Sequence, residues 1–179
     1  MRLFLIGLLL GFLTFSTTAQ DVGILPGMPL DSFTQRYPAL RQYEEKSRTQ
    51  IYRDEIVHGL NGSWLYQFEE GHLKWFCYSF FTFNDKDLTE QNFNLCRDAT
   101  LQFISAQNKK SGKPSLLKKR SPRFEKIRKK NTNTTVIRAV WETANMNFSV
   151  AYKYVEPNRG RSAYLSVEMW FYGPDHPLL

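Results

Sequence analysis

Ser63 to Glu69 sets Trp64, Tyr66 and Phe68 against Leu65, Gln67 and Glu69 in strict alternation. Alternation with period two marks a strand, because successive side chains leave the pleat on opposite faces. The next stretch, His72 to Phe83, is apolar on both faces. Leu73, Trp75, Cys77 and Phe81 fall on one side, and Phe76, Tyr78 and Phe80 on the other. Such a strand sits centrally in a sheet or lies under a cover on each side. Glu70-Gly71 joins the two as a tight turn, and Gly59-Leu60-Asn61-Gly62 is turn chemistry before them. These connections are too short for parallel pairing, so the chain is committed to an antiparallel sheet.

The rest of the chain extends the pattern. A strand is expected over 49–57, and three more over 134–143, 147–155 and 162–172. Pro29 opens a short helix through Tyr37, with Leu30, Phe33 and Tyr37 on one face. Asp87-Leu88-Thr89-Glu90 has the form of a capping box and starts a helix to about Asn108. Phe93, Cys96, Thr100 and Phe103 form its inward stripe. The order is helix, three strands, helix, three strands. Thr49-Gln50-Ile51-Tyr52-Arg53 and Thr134-Thr135-Val136-Ile137-Arg138 match in pattern. The expected fold is α+β: antiparallel sheet with helices packed on one face, as a tandem helix–three-strand repeat. The units are 20–84 and 85–179, with a basic insertion at 109–130.

Residues 1–19 read as a signal peptide. Arg2 precedes the apolar run Leu3 to Leu13, and Thr17-Thr18-Ala19 supplies small residues for cleavage before Gln20. The expected location is outside the cytoplasm, periplasmic or secreted. No later run reaches the roughly 18 apolar residues of a transmembrane helix, so no transmembrane anchor is expected. An oxidising compartment permits a disulfide between Cys77 and Cys96. Each is read as facing a helix–sheet interface, where a bridge would contribute about 3 kcal/mol. The alternative is two buried free thiols.

The formal charge of +7 is unevenly spread. Lys109, Lys110, Lys113, Lys118, Lys119, Arg120, Arg123, Lys126, Arg128, Lys129 and Lys130 stand against Glu125 alone, which gives that segment +10. Without Arg2 the chain carries +6, so the remainder carries −4. Lys and Arg attract polyanions in a salt-dependent way. An anionic envelope component therefore suits this segment. Only Phe124 is interleaved among the basic residues, which argues against nucleic-acid binding by base stacking. The bland reading is a solvated, flexible loop; a short helix from Pro122, or a strand pairing through the Asn131-Thr132-Asn133 turn, is equally open for its structure.

Catalytic signals are sparse. His58, His72 and His176 are isolated, without metal-ligand spacing. No Gly-x-Ser-x-Gly elbow or phosphate-cradling glycine loop occurs. No catalytic residue, metal or cofactor is expected. The aromatic strands offer another candidate. Tyr66, Tyr78, Tyr152, Tyr154, Tyr164 and Trp170 are read as a sheet surface that anchors a protein partner. An ordinary aromatic core is the alternative.

Gly27-Met28-Pro29-Leu30, opening a short helix before an antiparallel meander, resembles the start of a repeat in the SmpA/OmlA family. Two such units in one exported chain resemble the tandem α+β repeats of the β-lactamase inhibitory protein family. The resemblance implies a module that binds other proteins without a cofactor. The chain departs from the SmpA/OmlA pattern in lacking a lipid-bearing cysteine, and the basic segment has no counterpart there. A cystatin-like or NTF2-like sheet wrapped on a helix is the rival architecture. The expected function is thus an exported, non-catalytic protein holding a protein partner on a sheet face. The alternatives are polyanion or envelope-surface binding through 109–130, and an enzyme with an unrecognised site.

Overall fold

A computed structural model describes residues 24–45, 47–82, 85–130, 132–157 and 162–175. Residues 1–19, including the expected signal peptide, lie outside the described residues, as does His176. The first half of the chain runs α1 (Leu30–Arg36), β1 (Arg41–Glu45), β2 (Arg48–Val57), β3 (Leu60–Glu69) and β4 (His72–Phe81). A 3-10 turn at Asp85–Asp87 leads into α2 (Glu90–Ser111). Then come β5 (Leu116–Lys119), α3 (Phe124–Lys130), β6 (Thr134–Glu142), β7 (Asn147–Val155) and β8 (Tyr164–Tyr172). No described helix is long and apolar enough to cross a membrane.

The fold is α+β. The described strands form one antiparallel sheet of eight in the order β1-β2-β3-β4-β8-β7-β6-β5. Two four-stranded meanders run inward from the edges, and their last strands pair at the centre. The seam is β4 on β8, from Trp75 opposite Tyr172 to Phe81 opposite Ser166. Each half therefore has four strands rather than three. The missed strands, β1 and β5, are the two edges. Their sequences, RQYEE and LLKK, carry the charge that edge strands use to resist further pairing. A tandem of like units is not what the helices display: α1 has 7 residues, α2 has 22, and α3 interrupts the second meander.

The three described helices pack on one side of the sheet. Phe33 of α1 lies 4.7 Å from the Tyr66 ring and 5.3 Å from Phe68. Phe103 of α2 lies 6.2 Å from Tyr78, and Phe93 lies 5.4 Å from both Tyr152 and Phe124 of α3. Beneath the helices an aromatic rank crosses the seam. Tyr66, Phe76, Phe171, Phe148 and Trp141 stand directly opposite one another on five successive strands. Phe76 stacks on Phe171 at 4.5 Å and Trp141 on Phe148 at 4.7 Å. Opposed aromatic pairs each contribute roughly 0.2–1 kcal/mol beyond an Ala pair, so the rank joins the two halves through one core.

Two local readings need correction. The N-cap of α2 is Thr89, whose hydroxyl accepts from Asn92 N at 3.1 Å, and not Asp87. Asp87 closes the preceding 3-10 turn instead. In β4 the alternation breaks: Gln67 pairs with Trp75 but Phe68 with Leu73, which leaves Lys74 as an extra residue. This bulge returns Leu73 to the core beside Phe76 and Tyr78. Trp75, Cys77 and Phe81 keep the opposite face.

Candidate functional site

The far face of the sheet, turned away from the helices, is covered by no described helix. At its centre β4 and β8 bring Trp75 and Trp170 to 5.2 Å between rings. Trp170 also stacks on Tyr172 at 5.8 Å. Leu65, Phe81 and Tyr164 extend this patch, and all but Tyr172 remain half-buried. Glu168 is its polar hub: Trp170 Nε1 donates to its carboxylate at 3.1 Å and Lys153 Nζ at 3.5 Å. Toward the β1 edge the same face opens into a groove of about 680 Å³ between Tyr43, Gln50 and Tyr52. Gln50 ties this groove to the centre by donating to Gln67 Oε1 at 2.8 Å. Tyr43 is 57% exposed and meets Tyr52 edge-on at 5.6 Å.

The six expected partner-face residues divide between the two faces. Tyr66, Tyr78, Tyr152 and Tyr154 are core, at 3% exposure or less. Tyr78 Oη donates to Leu60 O at 2.6 Å, and Tyr152 Oη to Phe93 O at 3.0 Å. Burial pushes both phenols up. These four cannot touch a partner, because β3, β4 and β7 turn them under the helices. Tyr164 and Trp170 do lie on the far face. Sequence reasoning missed Trp75, Tyr43 and Tyr52. Parity along β4 placed Trp75 correctly with Cys77, but Leu73 on the same side made that face look like core.

The expected disulfide is absent. Both cysteines are free and buried. Cys77 belongs to the far face, with Sγ 3.8 Å from Ser79 Oγ, while Cys96 lies on the inward stripe of α2. The sheet separates them. Burial pushes the Cys77 thiol up to about 11 and the Cys96 thiol up to about 12, so neither supplies a thiolate near neutrality.

The basic segment carries strand β5 and helix α3, the latter matching the short helix expected from Pro122. Lys109 and Lys110 close the last turn of α2, where cations suit the helix dipole. Lys113 lies in the connection, and Lys118 and Lys119 lie on edge strand β5. Arg120 and Arg123 flank the link to α3, while Lys126, Arg128, Lys129 and Lys130 lie on that helix. Phe124 and Ile127 anchor α3 at 4% and 3% exposure. Arg128 pairs with Glu125 at 3.4 Å and lies over the Phe124 ring. The basic side chains around these anchors are exposed.

His58 is half-buried, edge-on to Phe103 at 4.6 Å, and burial lowers its pKa. His72 lies near an exposed turn, with Nδ1 3.0 Å from Glu70 O. Among the described residues no group of three or more His, Cys, Asp or Glu could hold a metal. Comparison with family models, curated proteins and solved structures finds no match to the chain.

Proposed function

We propose that this protein is an exported, non-catalytic binding module that holds a protein partner on the far face of its sheet. The observation that carries the reading is the Trp75–Trp170 pair, half-buried at the centre of a face that no described helix covers. Binding energy at protein interfaces concentrates in a few central aromatic anchors, and Trp is enriched among them. Here the anchors stand on a rigid central seam, so little ordering cost accompanies docking. Export is inferred from residues 1–19, and the SmpA/OmlA-like opening at Gly27 to Leu30 agrees with a binding role.

The test is capture of envelope and secreted proteins on parent and on Trp75→Ala/Trp170→Ala. A protein held through high salt by the parent should be lost from the variant. Each hot-spot truncation costs at least about 2 kcal/mol, or roughly 30-fold in affinity. Equal retention by both would remove the far face as the site. A second reading, polyanion binding through 109–130, is favoured by one observation: α3 and β5 hold the segment as an ordered basic surface. Material bound that way elutes at moderate salt and is lost when Lys118, Lys119, Arg120, Arg128, Lys129 and Lys130 are neutralised.

A further inference from the structure

A cavity of about 230 Å³ lies between the start of α2 and the link from β5 to α3. Three guanidinium-bearing residues line it: Arg97 from α2, and Arg120 and Arg123 from the link. Their convergence follows from the local structure. Glu90, Asn94 and Arg97 share one stripe of α2 at i, i+4, i+7. The link is pinned opposite that stripe, with Arg120 N donating to Val136 O at 2.8 Å and Lys126 N to Arg123 O at 3.0 Å. Phe93 and Phe124, 5.4 Å apart, line the cavity on its apolar side.

The charges there are not internally neutralised. Glu90 is the one acid in the lining, so the lining carries +2, and Asp98 beside Arg97 leaves a local excess of +1. Arg97 Nε pairs with Asp98 at 2.9 Å on the exposed side of α2, which leaves its two terminal nitrogens for a ligand. Guanidinium forks match phosphate oxygens in geometry, and phosphate recognition favours Arg over Lys where planar, two-pronged bonds form. Size narrows the ligand. At about 30 Å³ per water the cavity holds roughly seven or eight waters, below the 300 Å³ or so of a drug-sized site. It suits one phosphoryl group with a few attached atoms.

We propose that this cavity is a binding site for a phosphate monoester, either a small soluble ester or the headgroup of an anionic lipid, clamped by Arg97, Arg120 and Arg123. Asn94 and Ser121 line the same cavity and supply neutral donors. The site is independent of the far-face reading. It sharpens the basic-segment reading to three arginines, one of which lies outside that segment.

The test titrates the full chain by calorimetry with inorganic phosphate, then with phosphatidylcholine vesicles carrying phosphatidic acid. Binding of either probe supports the site, and the pair separates a soluble ester from a headgroup. Arg97→Gln/Arg123→Gln should weaken binding at least about tenfold, since two charge-assisted bonds to the phosphoryl oxygens are lost together. Ser121→Trp, which fills the cavity and keeps every charge, should do the same and guards against a folding defect in the double variant. Failure of both probes to bind the parent overturns the proposal, as does parent-like affinity in both variants. Loss of binding only on neutralising Lys118, Lys119, Lys129 and Lys130 also overturns it, while leaving the wider basic surface standing.

Discussion

The two faces of the sheet differ in how they tie down their aromatic polar tips. On the covered face the partners are mainly backbone carbonyls. Tyr78 donates to Leu60 O, Tyr152 to Phe93 O, and Trp141 Nε1 to Gly112 O at 3.0 Å. Those carbonyls belong to the first residue of β3, a helix and a helix C-cap, so each bond also fixes one element against another. On the far face the partners are mainly side chains of the same face. Trp170 donates to Glu168, Tyr52 to Gln50, and Gln50 to Gln67. Bonds of the first kind specify the fold. Bonds of the second kind can be exchanged for a partner's groups without disturbing any strand.

The largest effect that tests this contrast is on stability. Trp141 is 1% exposed, stacked on Phe148 and bonded to the α2 cap. Trp141→Ala should cost about 3–5 kcal/mol, as large-to-small changes in a packed aromatic core do. Trp75→Ala on the far face should cost about 2 kcal/mol or less, because part of that ring is already in water. Denaturant midpoints at constant m-value measure both. Equal losses would mean that the far face is as much core as the covered one, and the contrast would fail.

Next in size is Gly62, on β3 beneath the Tyr78 ring. A Cβ there would lie 2.7 Å from Tyr78 Cζ and Oη and still closer to the Ser79 carbonyl oxygen. Backbone cannot retreat as a flexible side-chain tip can, so Gly62→Ala should destabilise by about 1–3 kcal/mol through overpacking. Thermal unfolding would show it. An unchanged melting temperature would mean that the β3–β4 pair relaxes freely and that the covered face is not tightly fitted.

What the sequence revealed tracks these same two faces. Helix α2, the central strands and the covered stripe Phe93–Cys96–Thr100–Phe103 were legible, because burial imposes a clean period on a long element. Edge strands β1 and β5 were not, since RQYEE and LLKK carry no alternation that a core demands. The bulge at Lys74 was invisible for a different reason. One inserted residue changes the face of Leu73 without changing composition, and through it made the Cys77 face look like the Cys96 face. The arginine cavity also escaped notice. Arg97 and Arg123 are 26 positions apart in sequence, and only the packing of the link against α2 brings them together.

The smallest effect concerns Ser166, on the far face between Phe81 and Lys153 in register. Its Oγ is buried and, among the described residues, has no hydrogen-bond partner. On the covered face Tyr78, Tyr152 and Trp141 reach carbonyls and Trp64 reaches Glu55. A buried hydroxyl left unpaired costs about 1–3 kcal/mol of desolvation. Ser166→Ala removes that cost while deleting a single atom, so the variant should be more stable by about 1 kcal/mol. Urea unfolding of parent and variant decides the sign. A loss of similar size would mean that the hydroxyl is bonded in solution, with the Glu168–Lys153 network extending one residue toward Phe81. A gain would place an unmet donor, 0% exposed, in the middle of the face proposed to hold a partner. In that case Phe81 and Tyr164, which flank it, would have to move for a partner to reach it, and partner capture would be unchanged in Ser166→Ala although it is lost in Trp75→Ala/Trp170→Ala.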